Sequence, residues 1–285
     1  MSANRQNPPQ PPGRHPSLPP LPVTAEWVDR PLAAFAHDYG DGLSTGEHSH
    51  ARAQLLYATS GVMRIAAAGA LHVVPPGRAL WVPAHLPHAV TMQGRVAMRA
   101  LFLRADAAGR FPAGVAVLAV SALLRELVLA ACDGPLEWDQ AGRGGHLAAL
   151  ILDEISAAPA LPLGVPQPRD PLLLRLAESF RADPARDRSL EDWAPEVGAS
   201  PRTLTRRFRA ETGLGFAVWR QQTRLAEAAA LLAQGMPPAR AAAAVGYASA
   251  SAFGAAWRAA FGTTPAGQGG RKVGGRNSPK PPSSF

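Results

Sequence analysis

Residues 189–213, SLEDWAPEVGASPRTLTRRFRAETG, predict two short helices separated by a tight turn. Ser189 is a typical N-cap for the first helix, because its hydroxyl can accept a hydrogen bond from the unpaired N–H groups of the first turn. Gly198 can adopt the left-handed conformation that ends many helices. Ser200 then caps the second helix, and Pro201 occupies the first helical position, where its missing N–H costs no hydrogen bond. The stretch is therefore a candidate helix-turn-helix.

The second predicted helix combines an apolar side with a polar side. Leu204 and Phe208 lie four residues apart and predict the buried side. The outward positions carry Arg202, Thr203, Thr205, Arg206 and Arg209. A short helix with this polar face suits the major groove of DNA. An arginine-rich surface helix without a DNA-binding role is the alternative.

The same pattern occurs a second time further along the chain. FRAETG at 208–213 recurs as WRAAFG at 257–262, and EVGAS at 196–200 recurs as AVGYAS at 244–249. A single helix-turn-helix pattern often arises by chance, whereas two copies in one chain indicate a repeated structural unit. The repeat therefore favours a DNA-binding function.

The region from 171 to 268 resembles the DNA-binding domain of the AraC/XylS transcription regulators. The resemblance rests on SPRTLTRRFRAETG at 200–213, RLAEAAALL at 224–232 and AVGYASASAFGAAWRAAFGTTP at 244–265, in that order. It implies two helix-turn-helix units that are joined by one long helix, predicted over 216–233, and that enter successive major grooves of promoter DNA.

The expected DNA contacts follow from the chemistry of the outward side chains. Arginine can form paired hydrogen bonds with guanine, so the expected base-reading residues are Arg202, Thr205 and Arg206. Phosphate contacts position a protein without reading sequence, and the residues expected to make them are Ser200, Thr203 and Arg209.

The second unit offers fewer polar groups to the DNA. Matched to the family motif, its candidate DNA-binding residues are Ser249 and Ser251, and the neighbouring groove-facing positions are Ala250, Ala252, Gly254 and Ala255. Alanine and glycine have no polar side-chain atoms. The first unit is therefore predicted to supply most of the sequence specificity.

Composition limits the class of protein. The chain has 285 residues, enough for two ordinary domains, and carries a formal net charge of +8. Cys132 is its single cysteine, so no internal disulfide can form. The longest apolar run, 113–124, is too short to span a bilayer, and the polar, proline-rich start does not resemble a secretory signal. We expect a cytoplasmic protein without membrane contacts.

Residues 23–103 predict a β-rich domain. Short apolar segments alternate there with turn signals at Gly61, Gly69, 75–77 and Gly94. The segments are 54–58, 62–66, 70–74, 79–83 and 96–103. Many short strands at close spacing are typical of a β-barrel or sandwich.

Two motifs in this region resemble those of cupins, a family of small β-barrels. The first consists of His48-Ser49-His50, Gln54 and Gly61. The second begins at Gly77 and continues through Pro83 and His85 to His88, with His85 where glycine is usual. Cupins that bind metal usually have glutamate at the position of Gln54, and a neutral amide is a weaker ligand.

These residues allow three interpretations. His48 and His50 are alternate residues of an extended segment and so point to the same side. With His88 from another strand, and Gln54 as a fourth ligand, they could hold a divalent metal. Alternatively, the histidines contact an organic effector at the barrel mouth, or they are only structural parts of the barrel.

The chain divides into five predicted segments. Residues 1–22 are a proline-rich tail and 269–285 a basic tail, both expected to be disordered. Residues 23–157 form the cupin-like domain, 158–170 a stiff proline-rich linker, and 171–268 the DNA-binding domain. Two helices, 115–131 and 145–157, are predicted after the barrel. In AraC-like regulators such helices often carry dimer contacts, so the resemblance suggests a homodimer. The alternative is that both helices only cover the barrel.

The sequence thus predicts a two-domain α+β protein, with an N-terminal cupin-like β-barrel followed by two helices and a C-terminal all-α domain with two helix-turn-helix units. We interpret it as a transcription regulator, not an enzyme, that binds promoter DNA, senses a small-molecule effector or a metal, and contacts RNA polymerase if it activates. The main alternative is a cupin metalloenzyme with a helical appendage, built on His48, His50 and His88. A third interpretation is a non-specific architectural DNA-binding protein.

Overall fold

The computed structural model describes residues 23–161, 163–186 and 188–265. The tails at 1–22 and 269–285, which we expected to be disordered, lie outside the described residues. A β-rich region ends at residue 166 and is followed from residue 171 by helices alone. The predicted α+β architecture is confirmed.

The β-rich region is built from two antiparallel sheets. Their strand orders are β1-β7-β2-β5-β8-β9 and β10-β4-β3-β6. The strands are β1 (Leu32–Tyr39), β2 (Ala53–Ala58), β3 (Val62–Ala67), β4 (Ala70–Val74), β5 (Arg78–Val82), β6 (His88–Gln93), β7 (Val96–Leu103), β8 (Ala116–Ala119), β9 (Ala160–Leu161) and β10 (Gly164–Pro166). The accompanying helices are α1 (Val23–Trp27), α2 (Ala105–Ala108), α3 (Ala122–Cys132) and α4 (Arg143–Ala157).

The two sheets enclose a common apolar interior. On β3, Met63 and Ile65 contribute to this interior and pair with Met92 and Val90 of β6. The intervening Arg64 points to the other face, as the two-residue period of a strand requires. Strand β2 is buried along its whole length, because α3 and α4 cover its outer face.

One helix begins later in the structure than the sequence predicted. The sequence predicted a helix over 115–131, but 116–119 form β8, which pairs with β5, and α3 begins only at Ala122. Val117 faces the barrel interior and Leu118 faces the helix pair, so an alternating strand buries both. Ser121 caps α3 by accepting the N–H of Leu124. The second helix, predicted over 145–157, is confirmed and begins two residues earlier.

The segment predicted as a linker, 158–170, is not separate from the barrel. Residues 160–161 form β9 on the edge of β8, and 164–166 form β10 on the edge of β4. Two sheet edges were open, and pairing satisfies backbone groups that would otherwise need water. The chain therefore leaves the barrel only after residue 166.

The C-terminal region repeats one arrangement twice. Its helices are α5 (Pro171–Ala182), α6 (Leu190–Val197), α7 (Pro201–Thr212), α8 (Phe216–Ala233), α9 (Pro238–Ala244) and α10 (Ala250–Phe261). The predicted caps are confirmed: the hydroxyls of Ser189 and Ser200 each accept a backbone N–H of the following helix. Ser249, expected only as a DNA-binding candidate, caps α10 in the same way. Gly198 is left-handed at φ 64°. In the described segments we find no helix with the length and apolar character needed to cross a membrane.

The four-stranded sheet packs its outer face on the helical region. Val73 and Val165 share one buried apolar cluster with Leu173 of α5 and Trp219 of α8. The indole N–H of Trp219 donates to the carbonyl of Pro166 at 2.7 Å. The helix that joins the two helix-turn-helix units is therefore attached directly to the barrel.

Candidate DNA-binding face and histidine site

Helix α7 presents the predicted base-reading residues on one exposed surface. A shallow, open depression on this surface is lined by Arg202, Thr205, Arg206, Arg209 and Ala210. None of these three arginines has an acidic partner among the described residues. Arg207 differs, because its guanidinium lies 3.3 Å from the Asp170 carboxylate at the start of α5. The helix thus offers three uncompensated positive charges to a DNA backbone or base edge.

The hydroxyls of this helix are already engaged within the protein. Ser200 Oγ accepts the N–H of Thr203 at 3.2 Å and lies 2.9 Å from Thr203 Oγ1. Thr205 Oγ1 donates to the carbonyl of Pro201 at 2.9 Å. The Thr205 hydroxyl proton is therefore used within α7, whereas Arg202 and Arg206 have no acidic partner among the described residues.

Helix α10, the candidate recognition helix of the second unit, presents few polar side chains before its last turn. Ser249 caps it and Ser251 is exposed beside exposed alanines. Gly254, which we expected on the groove-facing side, is buried next to Phe253. The longer turn lies before Ser249 and leaves the register of α10 equal to that of α7. A Cβ at Gly254 would meet the guanidinium of Arg258 at 3.7 Å, so the Arg258 side chain covers this position.

Two exposed arginines of the second unit were not among the predicted DNA-binding residues. Arg258 is exposed in the last turn of α10, and Arg240 is exposed on α9. The repeat itself carried the signal for Arg258, since WRAAFG aligns it with Arg209 of FRAETG. Both arginines are additional candidates for phosphate contacts.

The barrel brings the three predicted histidines together. His48 and His88 form an antiparallel bridge, with N–H to carbonyl distances of 2.9 and 2.8 Å. The ring centroids of His48 and His50 are 4.9 Å apart, and those of His48 and His88 4.4 Å. One ligand nitrogen from each of the three histidines lies within 4.8 Å of the others. The three rings thus form one cluster where the first predicted motif meets β6.

Hydrogen bonds orient all three rings in the same sense. Nδ1 of His48 donates to the carbonyl of Gly46 at 3.0 Å, and Nδ1 of His88 donates to the carbonyl of Leu86 at 3.0 Å. Nδ1 of His50 bonds to the Glu26 carboxylate. A neutral imidazole with Nδ1 protonated leaves Nε2 as a lone-pair donor. Histidine ligands of metals are usually held in this way by a carbonyl or carboxylate.

Burial favours the neutral, metal-binding form of His88 and His50. Burial lowers the pKa of His88 to about 4, so this ring is neutral at neutral pH. Burial also lowers the pKa of His50, and the hydrogen bond that His50 donates to the Glu26 carboxylate opposes that effect. The Nε2 atom of His50 is buried without a hydrogen-bond partner among the described residues.

Gln54 completes the cluster. Its Oε1 lies 3.1 Å from Nε2 of His88. With Nδ1 of His88 protonated, both of these atoms are acceptors. Either the amide turns and donates its unpartnered NH₂ to the ring, or one cation is shared by both atoms. The donor set of three imidazoles and one amide oxygen fits a divalent transition metal.

Helix α1 contacts this cluster. No local sequence motif predicted that contact. The helix carries Glu26, and the preceding residue of the helix, Ala25, is buried in the barrel interior. Buried Arg52 holds the following turn by donating to the carbonyls of Val28 and Arg30. The carboxylate that orients His50 therefore comes from a segment 24 residues away.

His85 is not part of the cluster. It is exposed and adopts φ 61°, a left-handed conformation that glycine takes without strain. The loop therefore keeps the backbone that cupins build with glycine at this position. Its backbone N–H donates to the carbonyl of His50 at 2.7 Å, and its ring lies outside the group of candidate ligands among the described residues.

Comparison with known families agrees with this two-part architecture. The family described as "AraC-like ligand binding domain" matches residues 33–165. The family described as "Helix-turn-helix domain" matches residues 193–267. Together they define a DNA-binding transcription regulator with an N-terminal ligand-binding domain. The chain belongs to the AraC family of transcription regulators.

Two characterised relatives are transcription regulators. The chain is 29% identical over 234 residues to the HTH-type transcriptional regulator NimR of Escherichia coli (strain K12), covering 82% of this chain and 85% of NimR. It is 35% identical over 119 residues to the HTH-type transcriptional regulator RipA of Corynebacterium glutamicum, covering 42% of this chain and 34% of RipA. The cupin metalloenzyme alternative finds no support in these comparisons.

Solved structures of the family align over one or both parts of the chain. The C-terminal domain of AraT, a response regulator from Geobacillus stearothermophilus, is 27% identical, covers 35% of this chain and 84% of that domain, and gives a TM-score of 0.33. ToxT from Vibrio cholerae is 10% identical, covers 84% of this chain and 97% of ToxT, and gives a TM-score of 0.35.

Proposed function

We propose that this regulator reads promoter DNA mainly through α7 and that a divalent transition metal, held by His48, His50 and His88, controls that binding. The observation that carries the metal proposal is the common orientation of the three rings. Each Nδ1 is tied to an acceptor, so each Nε2 is left to coordinate. Gln54 supplies a fourth donor. A bound ion would add positive charge and fix these side chains. The residues around the site would transmit this change to the DNA-binding units.

Footprinting on the DNA that flanks the gene tests the proposal directly. We expect a protected site whose occupancy changes when Zn²⁺, Ni²⁺, Co²⁺ or Mn²⁺ is added to metal-free protein. A protected site that responds to none of these ions contradicts the metal proposal and leaves the DNA-binding assignment intact.

We infer that the protein works in the cytoplasm, where its promoter is, and that it contacts RNA polymerase if it activates.

The contact between the barrel and α8 offers a path from the histidines to the DNA. Strand β6 begins at His88 and ends at Gln93, whose Oε1 accepts Nε of Arg64 at 2.9 Å. The two terminal nitrogens of Arg64 bind both carboxylate oxygens of Glu227 on α8, one of them at 2.8 Å. Both side chains are mostly buried, with 23% and 13% exposed. A shift of β6 would therefore be transmitted to the helix that spaces the two DNA-binding units.

Reversing either charge of this pair is expected to uncouple the two domains. Arg64→Glu or Glu227→Arg places two like charges at a mostly buried contact, which disfavours the docked arrangement. We expect the ratio of DNA affinities with and without metal to fall toward 1 in each single variant and to recover in the double variant, which restores an opposite-charge pair. Fluorescence anisotropy with a labelled operator measures this ratio.

A matched control lies within the barrel. Arg99 pairs with the exposed carboxylate of Asp38, so Arg99→Glu reverses a charge of similar kind away from α8. It should leave the ratio unchanged. If Arg64→Glu behaves like Arg99→Glu, or if the double variant does not recover, the Arg64–Glu227 pair does not transmit the response.

Dimerisation through the helix pair is supported by two exposed leucines. Leu123 of α3 is 51% exposed and Leu150 of α4 is 49% exposed. The two helices pack on each other over the six-stranded sheet. Apolar side chains on one outer surface suit a self-complementary contact with a second copy of the chain.

Introducing charge into this surface is expected to separate the dimer. We expect sedimentation velocity to show a dimer for the unmodified chain and a monomer for the Leu123→Glu, Leu150→Glu variant. Trp27, 71% exposed on α1, provides the control, because Trp27→Glu should leave the dimer intact. A monomeric unmodified chain, or a dimer that only Trp27→Glu disrupts, contradicts this interface.

A further inference from the structure

A cavity lies outside the barrel, on the opposite face of the six-stranded sheet from the histidines. It occupies the space between β1, the end of α3 and the start of α4 and has a volume of about 240 Å³. Its walls are mostly apolar and include Leu32, Ala34, Ala131, Trp138, Leu147 and Ile151. None of its lining residues belongs to the histidine cluster.

The cavity is preformed. Its walls carry small side chains where larger ones would fill it, among them Ala34 and Ala131. Trp138 is fixed at one side, because its indole N–H donates to the carbonyl of Leu32 at 3.0 Å and its own carbonyl accepts Nε of Arg30 at 2.6 Å. A Cβ on Gly144 would lie only 2.6 Å from Trp138, so this glycine allows the tryptophan its place. Ligand sites are usually preformed apolar cavities of this kind.

One end of the cavity carries one basic and one acidic side chain, Arg143 and Asp139. Arg143 lines it, is exposed and has no acidic partner among the described residues. Arg143 is also the first residue of the 15-residue helix α4, whose N-cap Gly142 has no side chain to occupy the helix end. Asp139 lines the same end, and its carboxylate accepts the N–H of Ala141. It forms no ion pair with Arg143 among the described residues, so the guanidinium can bind a ligand.

We propose that this cavity binds a compact hydrophobic monocarboxylate, with its hydrocarbon body against Trp138 and Leu147 and its carboxylate at Arg143. An apolar cavity of about 150 Å³ is known to bind benzene, so about 240 Å³ accommodates one ring or a short chain and its carboxylate. The arginine can bind a carboxylate with two parallel hydrogen bonds. A purely apolar ligand would make no hydrogen bond with Arg143.

The cavity is connected to the histidine cluster through one short segment. Arg30 holds Trp138 with its side chain, and its carbonyl accepts Nη1 of Arg52 at 3.0 Å. The same segment carries Glu26, which orients His50. Occupancy of the cavity would therefore affect the metal site. This connection rests on the proposed function, whereas binding to the cavity does not.

Isothermal titration calorimetry of the full chain with benzoate, without metal or DNA, tests the binding. We expect benzoate to bind, benzyl alcohol to bind at least tenfold more weakly, and Arg143→Gln to weaken benzoate at least tenfold. Ala131→Leu should abolish binding by filling the cavity. Ala149→Leu, on an exposed position of α4 outside the cavity, should not change it.

Ala34→Val fills the cavity from the β1 side and replaces Ala131→Leu if that variant does not fold. Absence of benzoate binding to the unmodified chain overturns the proposal. Binding that survives both filling variants also overturns it, since the ligand would then lie elsewhere. Failure of every metal response, with benzoate binding intact, would refute the metal proposal alone.

Discussion

The double variant His48→Ala, His50→Ala is expected to lose tight metal binding and the metal response while keeping its affinity for DNA. It removes two of the four donors and leaves α7 unchanged. Loss of a single residue that only orients a ligand typically costs 10–100-fold in metal affinity, so the loss of two ligands should exceed about 100-fold. Competition with a chromophoric chelator measures the affinity, and anisotropy with labelled operator measures the DNA binding.

The loop contains a matched control for this variant. His85 is exposed, and its ring lies outside the candidate ligand group, so His85→Ala should bind metal like the unmodified chain. Glu26→Gln should fall between the two, with about a 10–100-fold loss, because it affects only the orientation and basicity of His50. Equal metal affinity in the double variant and in His85→Ala would show that the histidines are structural.

Arg206→Ala is expected to weaken binding to the cognate operator far more than Ser251→Ala. A good bidentate contact between arginine and guanine discriminates by about 1–3 kcal/mol, and Arg206 has no acidic partner within the described residues. The loss should be concentrated at one base pair, where the preference should relax. Ser251 stands among alanines on α10, so its removal should cost much less. Affinities for a panel of single-base operator variants decide between the two helices.

The neighbouring arginines provide controls of equal charge. Arg207 points to Asp170, so Arg207→Ala should leave base preference unchanged. Arg209→Ala should weaken all operator variants about equally and reduce the salt dependence by about one phosphate contact. Equal losses from Arg206→Ala and Ser251→Ala, or a larger loss from Ser251→Ala, would place the reading role on α10.

The DNA-binding region could be predicted from the sequence because helix caps and helical periodicity are local signals. The N-caps at Ser189 and Ser200 depend only on residues within one helical turn, so they could be predicted and are confirmed. The buried pair Leu204 and Phe208 follows from helical periodicity in the same way. The repeat added a second, independent copy of the pattern.

The candidate metal ligands were likewise predicted from short motifs, because alternate residues of a strand share a face. The alternation of 116–119 was read as helical instead, since an apolar run of that length fits either structure. Only pairing with β5 decides for the strand. The two small strands of the expected linker depend on open sheet edges, which a local sequence window does not contain.

The sequence by itself determined two helix-turn-helix units, a β-rich domain and three histidines able to converge. The tertiary structure alone decided which partners these residues have. Glu26 reaches His50 across 24 residues, and Arg64 reaches Glu227 across 163. Such contacts arise when sheets and helices pack, and their residues carry no mutual spacing that a local pattern could reveal. Through these contacts β6, which begins at His88, is connected by Gln93 and Arg64 to Glu227 of α8.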